Sequence, residues 1–552
     1  MHPFRTTIVA AGAVAAVLGG TVFAAALPSS AAPSPTAATA AVGAGFWHTS
    51  GNKILDSAGD VVRIAGINWY GFETPDEIAH GLWAQDYHAV VDAIKNLGYN
   101  TIRIPFSNQM VEKPIIPQNF SMFNSTGPIN TDLAGLNSLQ ILDKIVAYAG
   151  TDGLKVILDD HRSDAGESAE ENGLWYTAAF TNQNWLTDWA TMAKRYAGNP
   201  TVIGFDLRNE PHTPAGVAYA NGATWGTGDP NTDIRLAYEA AGNEILGLDP
   251  SALIFAEGIG ETPNAAGGFD STWWGGDLEL AGQFPVTLTS PGHVVYSAHD
   301  YGPSLFQQTW FNATTTTASL AAVWNQFWGY LYQNNTAPIW VGEFGTGNVA
   351  TDVSNTATGS QGQWFNSLVT FIGANPGMGW TYWALNGEDS FALLDNGYDA
   401  TPVSAAKQSL LKTIQFPLTG TITAPPPPTT GTGTAPPTTT SAPPPPSASC
   451  SAVYSVVNAW QGGFQAGITI KNTGTTAINN WTLAWDFPGA AQVSSLWNAT
   501  DTQTGKHVVA TAAAFDATIA PGASVMVGFT ANDPTADPNP TAFSLNGSTC
   551  TS

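Results

Sequence analysis

Short apolar runs rich in β-branched and aromatic residues recur between residues 63 and 385. They are "RIAGINWYG" (63–71), "TIRIPF" (101–106), "KVILDDH" (155–161), "VIGFDLRNEP" (202–211), "LIFAEGI" (253–259), "HVVYSAHDY" (293–301), "PIWVGEFG" (338–345) and "GWTYWAL" (379–385). Segments such as "YHAVVDAIKNLG" and "LQILDKIVAYAG" lie between them, with apolar residues at i, i+3, i+4 and i+7, the period of an amphipathic helix. Eight alternating strand and helix units predict an α/β domain, a (β/α)8 TIM barrel. A doubly wound open sheet is the competing arrangement. It lacks the Gly-rich phosphate loop expected after an early strand. Past residue 450 the period changes to strict alternation, as in "FQAGITIKN", "WTLAWDF" and "SVMVGFT", punctuated by Gly, Asn and Pro. That pattern predicts an all-β sandwich.

Between the two patterns runs "TITAPPPPTTGTGTAPPTTTSAPPPPSAS", residues 421–449. Pro, Thr, Gly, Ser and Ala cannot build a core, so this is a linker. Extended at about 3.1 Å per residue, it can span up to roughly 90 Å. At the other end, "MHPFR" precedes the apolar "TIVAAGAVAAVLGGTVFAAA" and then small residues and prolines. This order is that of a secretory signal peptide, with an A-x-A site at Ala24 to Ala26; a retained anchor is the alternative. The expected organisation is a signal peptide and disordered segment (1–41), a barrel (42–420), the linker (421–449) and a β-sandwich (450–552). Secretion follows, with no membrane association once the signal is removed, and a monomer is expected.

Composition narrows the partners. The 42 acidic residues against 17 basic ones give a net charge of −25, so little is available to neutralise phosphates and nucleic acid is excluded as a partner. The 20 Trp and 15 Tyr suit the flat faces of sugars, although any single Trp can equally be core. Cys450 and Cys550, 100 positions apart near the ends of the tail, fit one disulfide in an exported domain. No CxxC, HExxH or paired-His spacing occurs, so neither a metal nor another cofactor is expected.

In such a barrel the chemistry gathers at the C-terminal ends of the strands. Those ends carry Arg103, the run Asp159 to Arg162, Asn209 and Glu210, the run His299 to Tyr301, Glu343 and Trp383. Glu210 and Glu343 are 133 residues apart, three strand–helix units, which places them on facing walls of one rim. Two such carboxyl groups can flank a glycosidic bond, one protonating the leaving oxygen and the other attacking carbon or activating water. Each polar strand end taken alone is more often a solvated or structural terminus than a catalytic one.

"GFDLRNEP" and "VGEFG", taken with "GINWYGFET", "NTIRIP", "ILDDHR", "YSAHDYGP" and "WTYWAL", resemble glycoside hydrolase family 5 over residues 46–416, and its bacterial endo-β-1,4-glucanases in particular. The resemblance implies a retaining cellulase acting on cellulose or a related β-glucan. It gives Glu210 the acid/base role and Glu343 that of nucleophile. Arg103 would stand beside the nucleophile, and Asn209 would bond the sugar 2-OH. His161, His299 and Tyr301 would bind sugar and orient the nucleophile. Trp383 would form a platform under the sugar beside the scissile bond, with Trp83 and Trp274 as further cleft tryptophans. Asp160 and Arg208 receive no role. Mannanase or xyloglucanase action is the nearest alternative, and a non-catalytic wall-binding protein the alternative of another class.

The tail, through "VVNAWQGGFQAGITIKNTG" and "NNWTLAWDFPG", resembles a family 2 carbohydrate-binding module, whose terminal disulfide Cys450 and Cys550 match. Trp460 and Trp497 match two of the three aromatics that such modules lay on cellulose, and Phe515 stands where the third is a tryptophan. Trp481 and Trp485 fit core positions. A smaller ring stacks less area, so Phe515→Trp should strengthen retention on crystalline cellulose. Depletion assays on the isolated module check this; equal retention by both forms sinks the idea.

Overall fold

The computed structural model describes residues 42–418 and 450–551, apart from 461, 498, 513–516, 533–539 and 541. The expected leader, the linker and Phe515 lie outside the described residues. Trp460 and Trp497 stand on described strands, but their side chains lie outside what is described.

Eight parallel strands close a barrel, one from each apolar run. They are β1 (Ala65–Asn68), β2 (Thr101–Ser107), β3 (Lys155–Arg162), β4 (Val202–Asp206), β5 (Leu253–Glu257), β6 (Val294–His299), β7 (Ile339–Glu343) and β8 (Gly379–Tyr382). Buried on both faces, such strands read as nearly continuous apolar runs. The two-residue period then sorts their side chains. On β3, Val156 and Leu158 pack outward into the large core beneath the helices, while Ile157 points inward. It joins Ile203, Leu253, Phe255, Val295 and Trp340 in an apolar floor inside the barrel. Trp47, Ile54 and Val62, from a short N-terminal sheet and its approach, pack against that floor. Above it the inward positions become charged, which is where the site begins.

The outer layer contains α1 (Tyr87–Asn96), α2 (Ser138–Thr151), α3 (Asn182–Tyr196), α4 (Ile234–Leu248), α5 (Thr317–Trp324), α6 (Gln361–Ala374) and α7 (Ala405–Lys412). Local chemistry sets several starts. Asp86 caps α1, and α2 and α3 each open on a reciprocal capping box, Asn137 with Gln140 and Thr181 with Asn184. The fifth unit departs from the expected alternation. Between β5 and β6 the described chain forms a hairpin, Glu261–Pro263 with Phe269–Ser271, and loops, but no helix. Residues 258–293 contain eight Gly and three Pro, which disfavour a helix interior by roughly 1 and 3 kcal/mol each relative to Ala. No helix among the described residues is long and apolar enough to cross a membrane.

The tail unit packs two antiparallel sheets. One has the order β9 (Cys450–Trp460), β10 (Gly463–Asn472), β15 (Ser524–Asn532), β12 (Gln492–Trp497). The other runs β13 (Ala499–Thr504), β14 (His507–Ala512), β11 (Thr482–Asp486), β16 (Phe543–Leu545), β17 (Ser548–Thr549). Trp481 and Trp485 are buried between them, Trp485 stacking on Phe529 at 5.5 Å, so both serve the core. Cys450 and Cys550 are disulfide-bonded and join the strand that opens the unit to its last residues.

Candidate active site

Arg103 stands at the centre of the rim, fully buried. Its guanidinium lies 2.9 Å from Asp206, 3.1 Å from Asp159, 3.2 Å from Glu257 and 2.6 Å from Glu343, so four other strands aim carboxylates at one cation. It also donates to Asn68 Oδ1 and Asn209 Oδ1, both at 3.0 Å. Burial works against its charge, but the surrounding carboxylates, Asp159 foremost, outweigh that and hold it protonated.

Glu343 accepts from Arg103 through Oε1 and from the Tyr301 hydroxyl through Oε2, at 2.8 Å. Burial alone would raise its pKa. The charges of His299, Arg103 and His161 overcome this and hold it below the ordinary glutamate range. Glu210 behaves oppositely: burial, supported by the charge of Glu343, raises it. One oxygen of Glu210, one of Glu343 and one nitrogen of His299 lie within 4.8 Å of one another. His299 Nδ1 is 3.0 Å from Glu210 Oε1 and 3.6 Å from Glu343 Oε2, so the imidazole bridges the pair. Asp159, Asp206 and Glu257 form a second such trio, and there the guanidinium of Arg103 is the cation.

β4 ends at Asp206, and the next residues keep pairing: Leu207 N–H reaches Phe255 O and Asn209 N–H reaches Asp160 O. Glu210 then adopts φ 48°, the left-handed region that non-glycine residues seldom occupy. Asn209 Nδ2 contacts His161 Nε2 at 3.3 Å, and His161 Nδ1 is held 2.7 Å from Asp159. The Trp383 ring stacks against His161 at 5.7 Å and Tyr70 at 5.4 Å, and its N–H reaches Asp389. His80 continues this aromatic wall to Trp83. On the other side of Glu210, a cleft of about 510 Å³ is lined by Trp273, Trp274, Tyr301, Leu305 and Phe306. Trp274 is 45% exposed and lies flat on the His212 ring at 3.7 Å, while His212 Nδ1 bonds Glu210 O.

All ten barrel residues expected at the site therefore stand on or beside one rim. Seven are linked by direct polar contacts, Trp383 and Trp83 by ring contacts, and Trp274 through the cleft it shares with Glu210. Sequence reasoning passed over Glu257, His212 and Tyr70. Glu257 ends its strand as Glu343 ends its own, a signal that any solvated strand end shares.

Arg208 and Asp160, left without roles, are partners. Asp160 is the outward neighbour of two inward residues on β3, and Arg208 meets it at 3.2 Å, with Glu170 at 3.1 Å and Ser163 Oγ at 3.1 Å. This buried cluster ties the loop after β3 to the chain just before Glu210.

Two rim carboxyl groups close enough to act on one bond, between aromatic walls, define a glycoside hydrolase on a TIM barrel. Residues 55–389 match the cellulase family, glycosyl hydrolase family 5, and the chain belongs to it. Residues 450–550 match the cellulose binding domain family. The chain is 43% identical to an endoglucanase of Paenibacillus polymyxa over 70% of this chain and 90% of that protein. It is 36% identical to the major extracellular endoglucanase of Xanthomonas campestris pv. campestris, over 90% and 97%. A solved structure of a hyperthermophilic endocellulase from Pyrococcus horikoshii superposes with TM-score 0.60 at 32% identity, covering 68% of this chain and all of that one.

Burial already pushes the Asp160 carboxyl up to about 8 against the charge of Arg208, so removing Arg208 at neutral pH would leave Glu170 without its cation and Asp160 without its donor. Arg208→Ala should cost about 3–5 kcal/mol of barrel stability, read as a lower denaturant midpoint. An unchanged midpoint would show the cluster to be dispensable.

Proposed function

We propose that the chain is a secreted endo-β-1,4-glucanase that cleaves internal bonds of cellulose with retention of anomeric configuration. The observation that carries the retaining mechanism is the separation of Glu210 and Glu343, which each place an oxygen within 4.8 Å of the other, while the cellulase and cellulose-binding family matches support the substrate. Retaining enzymes hold the two groups about 5–5.5 Å apart, whereas inverting ones need about 6.5–9.5 Å to admit a water.

In the first step Glu343 attacks the anomeric carbon while Glu210 gives its proton to the departing oxygen. In the second, Glu210 takes a proton from water, which displaces Glu343 from the sugar. Arg103 and Tyr301 keep Glu343 ionised and aimed. Asn209 bonds the 2-OH, and His161 and His299 orient sugar and nucleophile. Trp383 lies under the sugar beside the bond, with Trp83 further along and Trp274 on the leaving side. The leader-like N-terminus supports export, as does the word "extracellular" in the name of one relative. Retention by the tail module raises the local concentration of catalyst at the polymer.

Products formed first from a cellooligosaccharide should be β-anomers by NMR; α-products would overturn the retaining mechanism. Reducing ends should appear on carboxymethylcellulose well ahead of mannan and xyloglucan. Glu210→Gln should lower turnover by at least about 10²-fold and Glu343→Gln should abolish it, both with unchanged cellulose retention; near-normal turnover in either removes the role assigned.

The pKa directions set the pH profile. Activity needs Glu343 ionised and Glu210 protonated, so kcat/KM should rise with pH through a value below the ordinary glutamate range and fall through one above it. A basic limb at or below the ordinary glutamate pKa would contradict this.

A further inference from the structure

Glu257 ends β5 fully buried; one of its oxygens meets the Glu210 backbone and the other meets His299, which faces the Glu210 carboxyl group. Oε2 accepts the Glu210 backbone N–H at 2.7 Å, at the residue whose φ is 48°. Oε1 lies 3.1 Å from His299 Nε2, a charge contact that falls short of hydrogen-bond geometry, and the opposite nitrogen of that ring is the one 3.0 Å from the Glu210 carboxyl group. Oε1 also accepts from Arg103 Nη2 at 3.2 Å, which ties Glu257 to the cation beside Glu343. Gly275 leaves space for this arrangement, since a Cβ there would stand 2.4 Å from Glu257 Oε2.

We propose that Glu257 is a positioning residue for the acid step, anchoring the left-handed backbone of Glu210 and orienting the His299 ring that holds its carboxyl group. The physical reasons are separate for the two oxygens. A left-handed non-glycine residue persists only where its surroundings over-determine it, and a short charge-assisted bond to its N–H does so. A bare nitrogen lone pair 3.1 Å from a carboxylate oxygen is repelled, so His299 keeps a proton on Nε2. The other ring position is then available to share a proton with Glu210. When Glu210 passes its proton to the departing sugar oxygen, the Nε2 proton stays in place and the ring does not turn.

Glu210 is faced by His299 from β6, Glu343 from β7, Glu257 from β5 and Tyr301 beyond β6. Arg103, Asp159 and Asp206 lie beneath, around Glu257 and His299, and the His212 ring touches the Glu210 carbonyl. Glu257 and Glu343 both raise Glu210, after burial, so loss of the Glu257 charge should lower it.

The inference rests on Glu210 being the acid, so two substrates and two variants are compared in the full-length enzyme. 2,4-Dinitrophenyl β-cellobioside has a leaving group that needs no proton, whereas cellotetraose does. Glu210→Ala tests the acid role: equal losses on both substrates refute it, whatever Glu257 does. With that role upheld, Glu257→Gln should lower kcat/KM on cellotetraose by on the order of 10²-fold, lower it on the activated glycoside by about tenfold or less, and move the basic limb of the pH profile down. Equal losses on both substrates with an unmoved basic limb would overturn the proposal, leaving Glu257 a structural residue only. Glu257→Asp, which keeps the charge, should restore part of the difference. If neither variant folds, 15N-histidine spectra of the wild-type enzyme decide, with the His299 signal assigned by its loss in His299→Gln. A proton on Nε2 throughout the active pH range supports the proposal, and a ring protonated on Nδ1 alone overturns it.

Discussion

The barrel depends on one buried charge balance. Arg103 cannot leave water without compensation, and neither can the carboxylates around it, because each unpaired buried ion costs several kcal/mol. Together they offset one another only if β2, β3, β4, β5 and β7 end at the same height and the same distance from the axis. The cluster therefore acts as a gauge on the rim. It sits on the Trp340 face, 5.8 Å from the guanidinium, where the apolar floor ends. Chemistry and closure of the barrel share that gauge: the group that registers five strands also keeps Glu343 ionised.

Around this centre the two glutamates are set apart by what each touches. Glu343 meets a guanidinium, a phenol and an imidazole, all of which favour its charge. Glu210 meets mostly burial and like charge, with only the imidazole to oppose them. Identical side chains a few ångströms apart are thus pushed in opposite directions by their neighbours, one toward the protonated form and the other toward the charged one.

The eight strands were legible because parallel strands buried on both faces leave uninterrupted apolar runs, and all eight runs became strands. The missing fifth helix was legible too, in the glycines and prolines of 258–293, but a repeating pattern invites completion. Glu210 and Glu343 could be paired from their spacing by counting units. Glu257 could not be separated from a solvated strand end, since the same one-letter signal serves both, and only its distances to Arg103, His299 and the Glu210 N–H distinguish them. Arg208 was opaque for a different reason. It answers Asp160, whose outward direction follows from counting alternate residues after Ile157, and the partner lies on another strand. His212 carries no periodic signal at all; its meaning resides in the ring it lies under.

The helix-free segment after β5 divides the labour of the molecule. Its root, Glu257 and Gly275, belongs to the charge centre and has little freedom. Its outer part holds the hairpin from Glu261 to Ser271, and Trp273 and Trp274 after it line the cleft beside Glu210. The two portions differ in their reach to the centre: Trp274 lies on the His212 ring that bonds the Glu210 carbonyl, whereas residues 261–271 do not line that cleft. A change of length within 261–271 therefore falls outside the charge centre, while one at Trp274 or Gly275 is transmitted to Glu210.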